Sequence, residues 1–179
     1  GDVRMSFAAR PDVCGDGGSN IRVGRRHRVE QDDDVVYSGN GDCPCSDGPV
    51  RVVFRVSGHQ VSRVKTMVGG SWRPDPRALD LGTVATREAA TTLLAVANDA
   101  RNSGGEHAVF PATLADSVTV WPDLLRLARN DRAPHDVRKQ AVFWLSQAAS
   151  DSATSGLSQL AASDSEDDEI RKQAVFGLS

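Results

Sequence analysis

A segment of ten residues, Val137-Arg-Lys-Gln-Ala-Val-Phe-Trp-Leu-Ser146, returns 33 positions later as Ile170-Arg-Lys-Gln-Ala-Val-Phe-Gly-Leu-Ser179. Eight of the ten residues match, and one of the two changes is Val to Ile. An eroded copy stands one interval upstream, where Ala108-Val-Phe110 precedes Ala141-Val-Phe143 and Ser117 precedes Ser150. A constant period of about 20 to 50 residues marks a stacked array, because one unit alone cannot bury its apolar face. Arrays of this kind present extended binding surfaces, so the period constrains function as well as fold.

The period does not reach the first 70 residues, which alternate with period two. Val3, Met5, Phe7 and Ala9 oppose Arg4, Ser6 and Arg10; further on, Val50, Val52, Phe54 and Val56 oppose Arg51 and Arg55. Strict alternation indicates half-buried strands. Ser57-Gly-His-Gln60 supplies a turn, and Val61 to Val68 returns as the partner strand. Ile21 to Val29 reads as a further strand with Gly24 as a candidate bulge. Residues 1–70 are therefore expected to form a small antiparallel β unit of four or five strands. Two prolines one residue apart in Ser71-Trp-Arg-Pro-Asp-Pro-Arg77 stop helix and sheet alike, which makes 71–81 a linker.

From residue 82 to 179 the period is helical. Arg87 to Ala100 forms a long first helix, and Pro122 sits at the start of a helix over Asp123–Asn130, where its missing N–H costs nothing. Asp136 is expected to cap the next helix, with Glu169 in the matching place one period on. Val137, Ala141, Trp144, Leu145 and Ala148 make one apolar stripe. An acidic residue, then Val/Ile-Arg, then Ala three residues on and Leu four beyond it, resembles the second helix of HEAT-like repeats. The short period is most similar to the bacterial group named after phycobilisome lyases. More loosely, a β region followed by such repeats is similar to exported bacterial HEAT-repeat proteins of unknown function. The fold class this implies is α+β, an antiparallel β unit followed by an α-α solenoid of about three repeats. The first copy departs from the pattern: Gly104 stands where Val137 stands later, and Pro111 takes the place of Trp144. It is expected to be a kinked, cap-like repeat. The start at Gly1 and the stop at Ser179 in mid-repeat read as processing or trimming.

Cys14, Cys43 and Cys45 all fall in the β region. One disulfide from Cys14 to the Cys43-Pro-Cys45 loop is expected, with Cys45 preferred to Cys43 because it lies nearer the strand at Val50. A metal site would need His27 or His59 as a fourth ligand, and a single Cys-x-Cys beside a lone Cys is poor zinc spacing. The acidic groups Asp12/Asp16, Asp32–Asp34 and Asp42/Asp47 lack the spacing of a calcium loop. Turn chemistry explains most of them. Arg22, Arg25, Arg26, His27 and Arg28 are followed at once by Glu30 and Asp32–Asp34, so their field cancels locally. Neither a Gly-x-Ser-x-Gly elbow nor a His-Glu-x-x-His pair occurs, and His27, His59, His107 and His135 are scattered. No cofactor and no catalysis are expected.

Arg138-Lys139 and Arg171-Lys172 recur in register, as do Asp131 and Asp164. Stacking would make Arg138 and Arg171 a ladder, bonded to Asp131, Asp164 or nearby helix-end carbonyls and locking one repeat to the next. Lys139 and Lys172, with Gln140 and Gln173 beside them, are the side chains expected to face a partner. Trp144 becomes Gly177 one period later, a bulge beside a notch, and Trp72 and Trp121 are expected to cover the junction of the two regions. The chain carries a net charge of −3, no run of eighteen apolar residues, and 18 arginines against three lysines. That composition has the look of a high-GC bacterial gene and argues against membrane insertion. The expected function is a protein–protein interaction scaffold in the periplasm or outside the cell, or in the cytoplasm if the thiols are free. The family resemblance implies a bilin-lyase-like alternative with a tetrapyrrole. DNA binding ranks last, because residues 71–179 carry 11 basic and 15 acidic residues, and the resulting −4 repels phosphate.

Overall fold

A computed structural model describes residues 1–24, 27–30, 45–148 and 151–179, the backbone alone for 27–30 and 151–152. Among them are seven strands and six helices: β1 (Asp2–Phe7), β2 (Val13–Gly15), β3 (Asn20–Val23), β4 (His27–Glu30), β5 (Val50–Ser57), β6 (Gln60–Val68), β7 (Leu79–Thr83), α1 (Thr86–Asn98), α2 (Glu106–Thr113), α3 (Trp121–Arg129), α4 (His135–Ser146), α5 (Asp151–Ala162) and α6 (Asp168–Leu178).

The alternating segments form the strands that their pattern demands. β5 and β6 pair antiparallel around Gly58 and His59, both at positive φ, as a tight two-residue hairpin requires. β1 pairs antiparallel with β5, so Phe7, Val50 and Val68 line up across the inner face, and Arg4, Val53 and Lys65 across the outer one. The segment from Ile21 is not one strand with a bulge. It is the β3–β4 hairpin, with Gly24 (φ +65°) just past the end of β3. Together with β2 it makes a second, three-stranded sheet. Cys14 and Cys45 form a disulfide that closes this unit; Cys43 lies outside the described residues. The paired sulfurs are not available as thiolate ligands.

The expected α+β division into an antiparallel β unit and a solenoid is not what the chain builds. The four-stranded sheet, in order β6-β5-β1-β7, is mixed, because β7 runs parallel to β1. β7 includes residues 79–81 of the stretch read as a linker, and it leads directly into α1. The sheet also shares one core with the helices: Met5, Phe7, Val52 and Val64 belong to the same apolar cluster as Leu93, Val109, Leu114 and Leu145. Two further ties close the joint. Arg10 N donates to Leu114 O (2.9 Å) and Asp116 N to Ala8 O (3.0 Å), which sews the end of β1 to the end of α2. The result is a mixed α/β fold in which the first helix pair is built into the sheet.

This joint accounts for the eroded first copy. A Cβ on Gly104 would lie 2.8 Å from the Arg63 backbone, and Gly104 N donates to Val61 O (3.2 Å). Only glycine lets the α1–α2 loop close on β6. Pro111, buried inside α2, sits two residues before Thr113, whose hydroxyl returns a bond to Phe110 O.

The cysteine bridge spans 31 residues of a unit with few buried side chains among the described residues. Replacing Cys14 and Cys45 by Ser is expected to cost about 3 kcal/mol. Urea titration of wild type and double variant checks this, and wild type in reductant should match the variant.

Candidate functional site

Three helix pairs, α1–α2, α3–α4 and α5–α6, follow one another, and the second helices lie side by side. The 33-residue register allows each residue on α6 to be compared with its double on α4. The stripe holds as expected: Val137, Ala141, Trp144 and Leu145 are buried, and Ala148 is partly buried against them. Ile170 and Ala174 repeat Val137 and Ala141 and are equally buried. Asp136 and Glu169 are not the caps. Pro134 occupies the N-cap of α4 without a side-chain bond, while Asp167 caps α6 by accepting from Glu169 N (2.9 Å).

Trp144 stacks on Phe110 of α2, ring centroids 4.8 Å apart, and so faces the preceding pair. Gly177 faces its preceding pair too: a Cβ there would lie 2.6 Å from the Ser146 Cβ of α4. The expected surface notch is therefore an internal contact, and glycine is required because α6 approaches α4 so closely.

The ladder keeps two of its expected partners, Asp164 for Arg171 and a helix-end carbonyl for Arg138, and lacks the Asp131 rung. Arg138 is buried, and its Nε donates to Ala128 O at the end of α3 (2.8 Å). A helix-end carbonyl is one of the partners anticipated for it. Its second partner is Glu166, from the loop ahead of α6, and not Asp131. Asp131 is exposed, and among the described residues it meets no cation. Lys139 reaches Glu169 of α6 (3.5 Å), and His135 lies 3.4 Å from Asp167. Arg138, Lys139 and His135 of α4 thus take carboxylates from the segment that heads α6. The Asp167 carboxyl titrates below its ordinary range, first because it accepts the Glu169 N–H and further because of His135, against an opposing desolvation.

On α6 the same cations meet no carboxylate beyond their own helix pair among the described residues. Arg171 meets only Asp164 at 4.0 Å and Asp168 of its own first turn at 3.4 Å, both well exposed, and its buried Nε has no partner among the described residues. Lys172 is exposed, without a carboxylate among the described residues; Gln140 and Gln173 are both half-buried. The apolar doubles diverge most. Val142 and Leu145 are fully buried and Phe143 is half-buried, whereas Val175, Phe176 and Leu178 are 57%, 74% and 41% exposed. Sequence reading missed Glu166 because its double is Ala133, so the period carries no acid there. The available signal was the run Asp164-Ser-Glu-Asp-Asp-Glu169, far more acidic than the equivalent stretch one period earlier.

A second hollow of about 810 Å³ lies between α1 and α3, over Leu94, Ala95 and Leu125. Its polar rim is already satisfied: Arg126 bonds Asp123, Arg129 bonds Gln159, and Asn130 bonds Asn98. Trp121 starts α3, while Trp72 lies on the outer face of the sheet and does not cover the junction. The side chains of Arg25, Arg26, His27 and Arg28, the whole of Asp32–Asp34 and Asp42, and Ser150 lie outside the described residues. No helix among the described residues is long and apolar enough to cross a membrane. Comparison with known protein families, with characterised proteins and with solved structures returned no match.

Two expectations follow from the α4–α6 seam. Truncating Glu166 to Ala strands Arg138 in the interior and should cost about 3–5 kcal/mol, read from the urea midpoint. Because the folded pKa of Asp167 is below its unfolded value of 3.8, its contribution is full above that pH and lost as the pH falls through the folded value. Asp167→Asn should therefore flatten the fall in stability below about pH 3.8, measured by urea titration at stepped pH.

Proposed function

We propose that the protein is a binding module whose α6 face takes a further helical element, whether that element belongs to a second protein or to a longer chain. The occupant is a helical hairpin whose second helix is headed by carboxylates. One observation carries this reading: Val175, Phe176 and Leu178 are exposed, whereas their doubles Val142 and Leu145 are buried and Phe143 is partly buried. Large apolar side chains grouped at one surface mark an interaction site. The polar chemistry agrees. Arg138 and Lys139 receive Glu166 and Glu169 from the loop and helix that follow, and their doubles on α6 are Arg171, held by the exposed Asp164 and Asp168, and Lys172, which meets no carboxylate among the described residues. The resemblance of the repeated decapeptide to the second helices of HEAT-like repeats supports the reading, as does the preformed face, which needs little ordering on binding. The Cys14–Cys45 disulfide supports an oxidising setting, the periplasm or the exterior.

A synthetic hairpin with the sequence of residues 151–179 supplies the required chemistry, since that segment already seats on α4. Calorimetric titration should show it binding the wild-type chain. Phe176→Asp should weaken it by at least about tenfold. Arg171→Glu should weaken it too, and a hairpin carrying Glu166→Lys should restore that variant. Absence of binding to wild type, or equal binding to Phe176→Asp, would overturn the assignment.

A further inference from the structure

The outer face of the mixed sheet holds a second binding surface, independent of α6. A groove of about 1040 Å³ runs across β6, β5 and β1 and is walled by the segment after β6. Seven cationic side chains line it against two carboxylates, in a chain whose net charge is −3. Most of these cations are committed. Arg51 is buried and donates to Gly69 O (2.7 Å), Ser71 O (2.9 Å) and Gly17 O (2.6 Å), which fixes the groove wall to the sheet. Arg4 bonds Asp80 and the Arg73 carbonyl, and Arg55 bonds Asp2. Arg77 lies 3.6 Å from Asp75.

Three cations remain: Arg63, Lys65 and Arg73 are exposed, and none has a carboxylate among the described residues. The register makes this costly. Arg63 stands directly opposite Arg55 across the β5–β6 ladder, and like charges in that position destabilise a sheet. Asp2, next along the row, neutralises Arg55 and leaves Arg63 without a carboxylate among the described residues. A local conflict kept on a rigid sheet is where function is to be sought.

The spacing selects the ligand. Arg63 and Lys65 are alternate residues of one strand, so their side chains leave the same face about 7 Å apart. An extended peptide lying along β6 repeats its own side chains at the same interval. We infer that this face binds an extended protein segment with carboxylates on alternate residues, which meet Arg63 and Lys65, while Arg73 closes on it from the wall. Nucleic acid fits less well. The groove's aromatic ring, Trp72, is engaged by the guanidinium groups of Arg4 and Arg51 at 5.1 and 5.0 Å, and Asp2 and Asp75 oppose a continuous phosphate chain.

A fluorescein-labelled peptide alternating Glu with Thr tests the inference by anisotropy on the intact protein. Binding is expected, falling as salt rises. The double variant Arg63→Glu with Lys65→Glu should lose about tenfold or more, and Arg73→Glu, which leaves the sheet untouched, should also weaken it. A peptide of the same composition with its glutamates in one block should bind more weakly. Equal binding of the blocked peptide, unchanged binding by both variants, or tighter binding of a single-stranded oligonucleotide or a sulfated glycan would each overturn it.

Discussion

A helix pair has two faces to bury and can cover only one of them by itself. Every feature of the C-terminal half follows from how the other face is covered. α2 receives Trp144 on Phe110, and α4 receives α6 through Gly177 on Ser146, so each second helix is sealed by its successor. The polar atoms obey the same order. Arg138 would be a stranded charge if Glu166 did not arrive with the next helix, and a stranded buried charge costs several kcal/mol. Covering and neutralising are thus one event. On α6 the matching apolar residues, Val175, Phe176 and Leu178, stand exposed.

The sheet answers the same need at the other end. α1 and α2 have no earlier pair to lean on, and the inner rows of β1, β5 and β6 take that role. Gly104 and Pro111 mark the change of neighbour: the first admits the β6 backbone, and the second replaces a tryptophan that would have needed a further helix to stack upon. What reads as an eroded repeat is a repeat fitted to a sheet.

Local patterns were legible in the sequence, and distant pairings were not. Alternation placed β1, β5 and β6, the helical stripe placed the buried face of α4, and proximity to the Val50 strand favoured Cys45 over Cys43. Each rests on chemistry within a few residues. β7 was hidden because Leu79–Thr83 is short, holds a glycine, follows two prolines, and is a strand only by virtue of β1, some 76 residues earlier. That single parallel pairing is what makes the sheet mixed and removes the expected division into unit and solenoid. The Arg138–Glu166 pair was hidden for a related reason: a repeat predicts like beside like, whereas this contact joins one unit to a residue that its neighbour does not share. The cationic groove escaped notice because Arg63, Lys65 and Arg73 are ordinary surface residues until the register sets them beside Arg55.

The position of β1 in the order β6-β5-β1-β7 has a kinetic meaning. β1 is an interior strand, and both of its neighbours are encoded later in the chain. Its antiparallel partner begins at Val50 and its parallel partner ends at Thr83, so its two hydrogen-bonding edges stay open until the chain has been made as far as Thr83. Closing loops of that length before any contact rewards them is slow. During the wait, an alternating apolar strand such as Val3-Arg-Met-Ser-Phe7 is a template for the wrong partner. Arg4 and Ser6 on its outer face, which stand outside the apolar core, keep that strand soluble while it waits.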